Sequence, residues 1–307
     1  MEIDSNPVNP NIEEQSQTQT EIPSEVTTTS QPNNLQEVNG LSEDEYKDPN
    51  KIQITIADQS SPIVVLFGPP SCGKTMTLIR LTRYLNSKGY RVDPVETFRP
   101  SADTHYKKMC REYNQMVNQL NAAESTSLIS FMLVRVIDPY GKTICQILEA
   151  PGEYYFNPRD PDAPFPTYVH AIKNGNNRKI WCYMVEPNWM DESNRLGYVG
   201  KIHSLKRTMR PQDKAVFIFN KIDMTPFVVS PGEINKKEAM REVKNLYQGI
   251  FVPFTKKTVF GTSDDYRFIP FQTGDYSPTA DNGFSFTPGP DAYPNELWNT
   301  IYKLVKG

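Results

Sequence analysis

The chain is poor in the residues that most often announce metal or redox chemistry, with four cysteines and three histidines in 307 residues. Cys72, Cys110, Cys145 and Cys182 show no metal-ligand spacing, which argues against a zinc or iron–sulfur framework and reads as reduced cytosolic thiols. Cys145 and Cys182 lie in apolar runs and are expected in the core. Cys72 reads as filler of a loop, with a redox role as the less favoured alternative. No stretch of about 18 apolar residues is present, so no membrane-spanning helix is expected. Met1-Glu2-Ile3-Asp4 lacks an apolar signal region and has Glu2 where N-myristoylation needs glycine, so the reading is a soluble cytoplasmic protein. There is no internal repeat and no dense basic run, and nucleic acid is not an expected partner.

Basic and large apolar residues are also scarce in the first fifty positions. Residues 1–50 hold eleven Asp or Glu against Lys47 alone, in a background of Ser, Thr, Gln, Asn and Pro. Such a segment buries too little to offset its ordering entropy and is expected to be a disordered acidic tail. The remaining residues, 51–307, carry 32 basic and 25 acidic side chains, a net charge of about +7 that suits a polyphosphate ligand. They are expected to form one domain.

What is present begins with Ile63-Val64-Val65-Leu66-Phe67, an apolar run that reads as a fully buried strand. Gly68-Pro69-Pro70-Ser71-Cys72-Gly73-Lys74-Thr75 follows and leads into the helical run Met76-Thr77-Leu78-Ile79. Gly-x4-Gly-Lys-Thr between a strand and a helix is the phosphate-binding loop pattern. A polyphosphate needs converging backbone N–H donors at a helix N-terminus, and glycine where a Cβ would block approach. Lys74 then reaches the terminal phosphates and Thr75 ligates Mg²⁺.

Upstream of the phosphate loop, 52–56 alternates apolar and polar residues and predicts a short strand, and beyond the loop a helix is expected over 75–87. A second helix is expected over 102–122 with Ser101 as its N-cap. Runs at 130–137 and 143–148 around Asp138-Pro139-Tyr140-Gly141 predict an antiparallel hairpin. Residues 157–166 read as an irregular loop and 167–173 as a short helix. Buried strands are expected at 180–185 and 215–219. A helix over 191–209, capped by Asp191, should turn Leu196, Val199, Ile202, Leu205 and Met209 inward. A helix at 233–250, a strand at 267–271, a structured loop at 273–294 and a closing helix at 295–306 complete the reading. Strands alternating with amphipathic helices predict a three-layer α/β domain, mostly parallel, with one antiparallel strand from the hairpin.

Asn220-Lys221-Ile222-Asp223, at the end of the 215–219 strand, is similar to the guanine-reading Asn-Lys-x-Asp signature. With the phosphate loop and the hairpin, the chain resembles the Ras-like and translation-factor-related P-loop GTPases over nearly all of 51–307. The resemblance implies that Asp223 accepts hydrogen bonds from guanine N1–H and its exocyclic amine, which adenine cannot offer. It further implies that the stem of Lys221 lies along the base and that Asn220 ties this loop to the phosphate loop. Gly68, Pro69, Ser71, Cys72, Gly73, Lys74, Thr75 and Met76 would line the phosphate side, and Thr273 in Gln272-Thr273-Gly274 a last base contact. Glu149-Ala150-Pro151-Gly152 resembles the family's Asp-x-x-Gly, which assigns Glu149 to Mg²⁺ and the Gly152 N–H to the γ-phosphate. Glu153 stands where Ras-like members often place a water-orienting Gln. A Thr that reaches Mg²⁺ from a switch segment is assigned to Thr126, with Thr97 in Glu96-Thr97-Phe98-Arg99 as the rival, and Arg99 is read as a surface arginine, with an arginine finger in cis as the less favoured role.

The expected activity is hydrolysis of GTP to GDP with Mg²⁺ by a molecular switch, with catalytic roles for Lys74, Gly152 and Glu153 and a protein effector or regulator as partner. Two alternatives remain open at this point. One is a GTP-binding scaffold without hydrolysis, motivated by the carboxylates Glu149 and Glu153. The other is an ATP-using P-loop enzyme.

Overall fold

A computed structural model of the protein describes residues 41–118, 131–259, 261–278 and 284–307. Its centre is β1, Ile63–Phe67, buried at all five positions. The strands β2 Arg91–Pro94, β3 Met132–Ile137, β4 Thr143–Glu149, β5 Lys179–Val185 and β6 Lys214–Phe219 join it in a seven-stranded sheet, completed by the edge strand Arg267–Pro270. From that edge the order is Arg267–Pro270, β6, β5, β1, β4, β3, β2. β1 pairs in parallel with β4 and with β5, Ile63 standing opposite Gln146 on one side and Lys179 on the other. β3 runs antiparallel to both of its neighbours, so the hairpin supplies the sheet's single reversed strand. The strands flanking β1 are buried on both faces, which is why they read as unbroken apolar runs rather than alternating ones.

The helices are α1 Glu43–Lys47, α2 Lys74–Ser87, α3 Thr104–Asn118, α4 Gly152–Tyr155, α5 Thr167–Asn174, α6 Glu192–Lys206, α7 Lys236–Leu246 and α8 Ala292–Lys306. α2 packs on α3 and α8, and both α2 and α8 lie against β4. Across the sheet, Phe67 meets Tyr155 of α4 and Tyr198 of α6 at ring-centroid distances of 4.5 and 6.1 Å. The result is a three-layer, mostly parallel α/β domain whose helices cover both faces. Buried side chains such as Phe67, Leu78, Tyr198 and Ile301 each contribute about 1.5–3 kcal/mol through the apolar area removed from water.

Several elements differ from the sequence reading. Residues 41–50, the last part of the expected tail, are structured. Ser42 and Glu45 form a reciprocal capping box on α1, and Leu41 is buried in the core. The tail's first forty residues lie outside the described residues. The alternation at 52–56 does turn Ile52, Ile54 and Ile56 toward the core, yet the stretch is not a strand: it is tied to the body by a Thr55 N–H donated to Phe98 O and by the Arg99 guanidinium donated to Gln53 O, both at 2.8 Å. α3 starts at Thr104 with the Asp103 carboxylate, not Ser101, accepting the Tyr106 N–H at 2.9 Å. Ser101 loses that place because the chain is still turning, with the Asp103 N–H bonded to Pro100 O. In α6, Val199, Ile202 and Leu205 are buried while Leu196 is 46 % exposed. Within the expected loop 273–294, Gly274–Pro278 and Phe284–Pro288 pair as an antiparallel hairpin. Pro270 is accommodated because its strand is at the sheet edge, where one side of the backbone has no ladder to supply.

Candidate functional site

The phosphate loop leaves β1 at Gly68 and ends in α2, and its backbone is shaped by positions where a side chain does not fit. Gly73, at φ +88°, is the N-cap of α2 without a side-chain cap, so the first amides of that helix face the loop uncapped. A Cβ on Gly73 would lie 2.2 Å from Asn220 Nδ2, and one on Gly68 would lie 2.5 Å from Cys72 Sγ. Ser71 also takes a left-handed φ, +62°. Lys74 is buried and curls over the loop, its Nζ donating to Gly68 O at 3.2 Å and to Pro69 O at 3.0 Å. Cys72 is wholly buried, and burial pushes its thiol up from the ordinary value, which suits filler and opposes thiolate chemistry.

Glu149 ends β4 beneath this loop at 2 % exposure. The Thr75 hydroxyl donates to its Oε1, while the buried Oε2 has no hydrogen-bond partner. Burial pushes the Glu149 carboxyl up to about 7, partly offset by the Lys74 ammonium and the Thr75 hydrogen bond. An orphaned carboxylate oxygen beside a helix-start hydroxyl fits a hard cation such as Mg²⁺. Among the described residues no group of three or more His, Cys, Asp or Glu could hold a metal ion, so a cation at Thr75 and Glu149 would take its other ligands from phosphate and water. Gly152, three residues on, abuts the loop so closely that a Cβ there would be 2.3 Å from Pro69 C and Pro70 N.

The opposite wall comes from the end of β6. Asn220 Nδ2 donates to Cys72 O at 2.9 Å, fastening the two loops together. Lys221, at φ +56°, donates from Nζ to Ser71 O at 3.3 Å and forms an ion pair with Glu186. The turn 222–224 hangs from the neighbouring edge strand through Ile222 N–H to Phe271 O at 3.2 Å. Asp223 is exposed, and its carboxyl is held above the ordinary value by partial burial and by Asp275, against the pull of backbone hydrogen bonding and Lys221. Between the walls lies a cleft of roughly 630 Å³, which Ser71 and Gly73 to Met76 line from one side and Asn220, Lys221, Asp223 and Thr273 from the other. Gly274 of the expected Gln272-Thr273-Gly274 segment also lines it, as does Met224, which follows the Asn-Lys-x-Asp run and carries no motif of its own. Gly274 is needed there because a Cβ would be 2.5 Å from Thr287 O, where the 274–288 hairpin closes.

Glu153, Thr97 and Arg99 do not line this cleft. Glu153 is exposed and faces a separate hollow with Tyr46, Lys47 and Lys201, away from the Lys74 cleft. Thr126 lies outside the described residues, and its rival Thr97 is exposed in the short turn 96–98. Arg99 is no surface arginine. At 3 % exposure it pairs with Glu45 and Asp103, and its Nη1 donates to Gln53 O at 2.8 Å. A carboxylate 54 positions upstream leaves no local trace in the sequence.

Sheet order and the strand-to-helix phosphate loop define a three-layer α/β fold of the P-loop type. No protein-family model and no curated protein matches the chain. Among solved structures it is similar to a Plasmodium falciparum protein assigned as nucleolar GTP-binding protein 1, at 12 % identity and a TM-score of 0.39, over 83 % of this chain and 90 % of that one. It is also similar to the Saccharomyces cerevisiae Ski7 GTPase-like domain bound to GTP, at 12 % identity and a TM-score of 0.37, over 87 % and 52 % of the two chains. A third likeness is to Methanosarcina barkeri Roco2 bound to GDP, at 12 % identity and a TM-score of 0.32, over 84 % and 53 %. The chain thus spans about half the length of the last two. No helix among the described residues is long and apolar enough to cross a membrane.

Proposed function

We propose that the protein binds GTP and GDP with Mg²⁺ in this cleft and hydrolyses GTP slowly, as a nucleotide-dependent switch read by a protein partner. The observation that carries the reading is the Asn220 Nδ2 to Cys72 O hydrogen bond, which sets the base-side segment and the phosphate loop as two walls of one cleft. The amides of Ser71, Cys72 and Gly73 and the Lys74 ammonium take the phosphates, in the manner of a helix N-terminus with a mobile point charge. Lys74 leaves its present acceptors, Gly68 O and Pro69 O, to do so. Thr75 and Glu149 hold Mg²⁺, with Thr126 as the switch-segment ligand. Bound there, the ion neutralises phosphate charge. Asp223 reads guanine, and adenine leaves that carboxylate desolvated without donors.

At the hydrolytic end, Gly152 packs on Pro69 and Pro70 and offers its N–H beside the γ-phosphate position. Entry of a γ-phosphate then shifts the segment 150–166. Glu153 is the weak part of the machinery, since it points into the neighbouring hollow. That placement favours slow intrinsic turnover and, as a second reading, a GTP-binding scaffold whose nucleotide only shapes a docking surface. Single-turnover hydrolysis separates the two: phosphate release above the buffer rate supports the enzyme, and release at the buffer rate leaves the scaffold. Competition against a fluorescent N-methylanthraniloyl (mant) GDP tests the base assignment. GTP is expected to displace it and ATP to fail, whereas equal displacement by ATP would overturn the guanine reading in favour of an ATP-using site.

A further inference from the structure

One buried acid has no part in the scheme above. Glu186, the residue after β5, is 5 % exposed, and Lys221 is the cation paired with it among the described residues. Its backbone is pinned on both sides by one hydroxyl: Tyr247 OH accepts from Glu186 N at 3.3 Å and donates to Glu186 O at 2.9 Å. Tyr247 is buried at 1 % exposure just past the end of α7. A chain of contacts therefore runs from Tyr247 to the Glu186 backbone, from its carboxylate to Lys221, and from Lys221 Nζ to Ser71 O in the phosphate loop. Lys221 itself is only partly buried and sits in a left-handed conformation, so a long, rotamer-rich side chain is fixed at its tip by a group it did not choose locally.

We infer that Glu186 is a positioning residue for nucleoside binding, holding the Lys221 side chain as a preset rail along the base side of the cleft. The inference rests on reading the cleft as a guanine-nucleotide site. A lysine ordered before the ligand arrives loses no further rotamer freedom when its stem is covered, so the nucleoside binds more tightly than it would against a free side chain. The pair makes no direct contact with the phosphates, which Lys74 and the loop amides take, and leaves the choice among purines to Asp223.

The test is a double-mutant cycle on the full chain. Glu186→Gln keeps the shape and removes the charge. It is expected to weaken mant-GDP about fivefold, mainly through faster dissociation, with competition by inorganic triphosphate unchanged. In a Lys221→Ala background the same substitution should add nothing. Tyr247→Phe should act in the same direction, about twofold, and also only when Lys221 is present. A second cycle uses the nucleotide-free protein: Lys221→Ala leaves a buried carboxylate without its cation and lowers the thermal midpoint, and adding Glu186→Gln recovers most of the loss. Equal weakening by Glu186→Gln in both backgrounds, a parallel loss of triphosphate competition, or no thermal recovery in the double variant would each overturn the inference. A wild-type chain that binds no mant-GDP sinks the guanine reading and this one together; one that binds it but is indifferent to Glu186→Gln sinks this one alone.

Discussion

The two ends of the cleft are built on different principles. The phosphate end is backbone and burial: Gly68, Gly73 and Gly152 have no room for a Cβ, Lys74 and Glu149 are nearly inaccessible, and Cys72 is sealed. The base end is side chains at the surface: Asp223 and Met224 are exposed, Lys221 and Thr273 half-buried. Rigidity is concentrated in the phosphate loop and its buried neighbours. In the proposed function, fixed amides and the buried Lys74 ammonium recognise the polyphosphate. In the same proposal a replaceable carboxylate, Asp223, reads the base, so specificity can change without disturbing the loop.

The comparison breaks most visibly at Lys74. Lys74→Ala is expected to cost more than about 100-fold in affinity for GDP, GTP and GTP analogues of altered base alike, since several charge-assisted contacts go at once. Titration of a series of mant-nucleotides checks it, and a loss confined to guanine would merge the two ends. Asp223→Asn should cost about 10–100-fold for guanine nucleotides only, shift preference toward xanthine nucleotides, and leave thermal stability within about 0.5 kcal/mol because the side chain is exposed. An unchanged base preference would remove Asp223 from the base pocket.

A subtler contrast is in pH. The Glu149 carboxyl is raised from 4.5 to about 7, so the folded, nucleotide-free protein holds a proton that the unfolded chain releases earlier. Its stabilising share is complete below about pH 4.5 and is lost as pH rises toward about 7, amounting to about 1–3 kcal/mol. Thermal midpoints should therefore fall across this window, and Glu149→Gln should flatten the fall. An equal slope in the variant would show that Glu149 is not the buried acid responsible. The smallest effect is expected at the rim, where Thr273→Ala should change nucleotide affinity by less than about threefold by the same titration. A larger loss would make the last base contact more than variable edging.

What could be read from the sequence follows the same division. Gly68, Gly73 and the buried strand before them are demanded by local backbone geometry, and such demands leave local traces. The hairpin at Asp138–Gly141 was equally legible because Asp138 and Gly141 do their turn chemistry in place: the Asp138 carboxylate accepts two backbone N–H groups and Gly141 takes φ +85°. Glu186 was not, since its partner Lys221 is brought to it by the neighbouring strands β5 and β6 rather than by spacing along the chain. Leu196 illustrates the reverse failure. It has the period of an inward residue, but Tyr198 takes the place over Phe67, so the face that packs is rotated from the one the leucine implies. Ile52–Ile56 shows that an alternating pattern certifies which side chains face the core, not that a ladder partner exists.

The strap of residues 41–50 carries one further consequence. Glu45 is clamped by Arg99 in the segment after β2, Tyr46 O accepts from Tyr154 in α4, and Asn50 Oδ1 accepts from Thr167 at the head of α5. Three stretches from different parts of the chain thus share one short fastening. It acts as a tie: displacing any one of the stretches that hold Arg99, Tyr154 and Thr167 away from the strap breaks a contact made by residues 45–50.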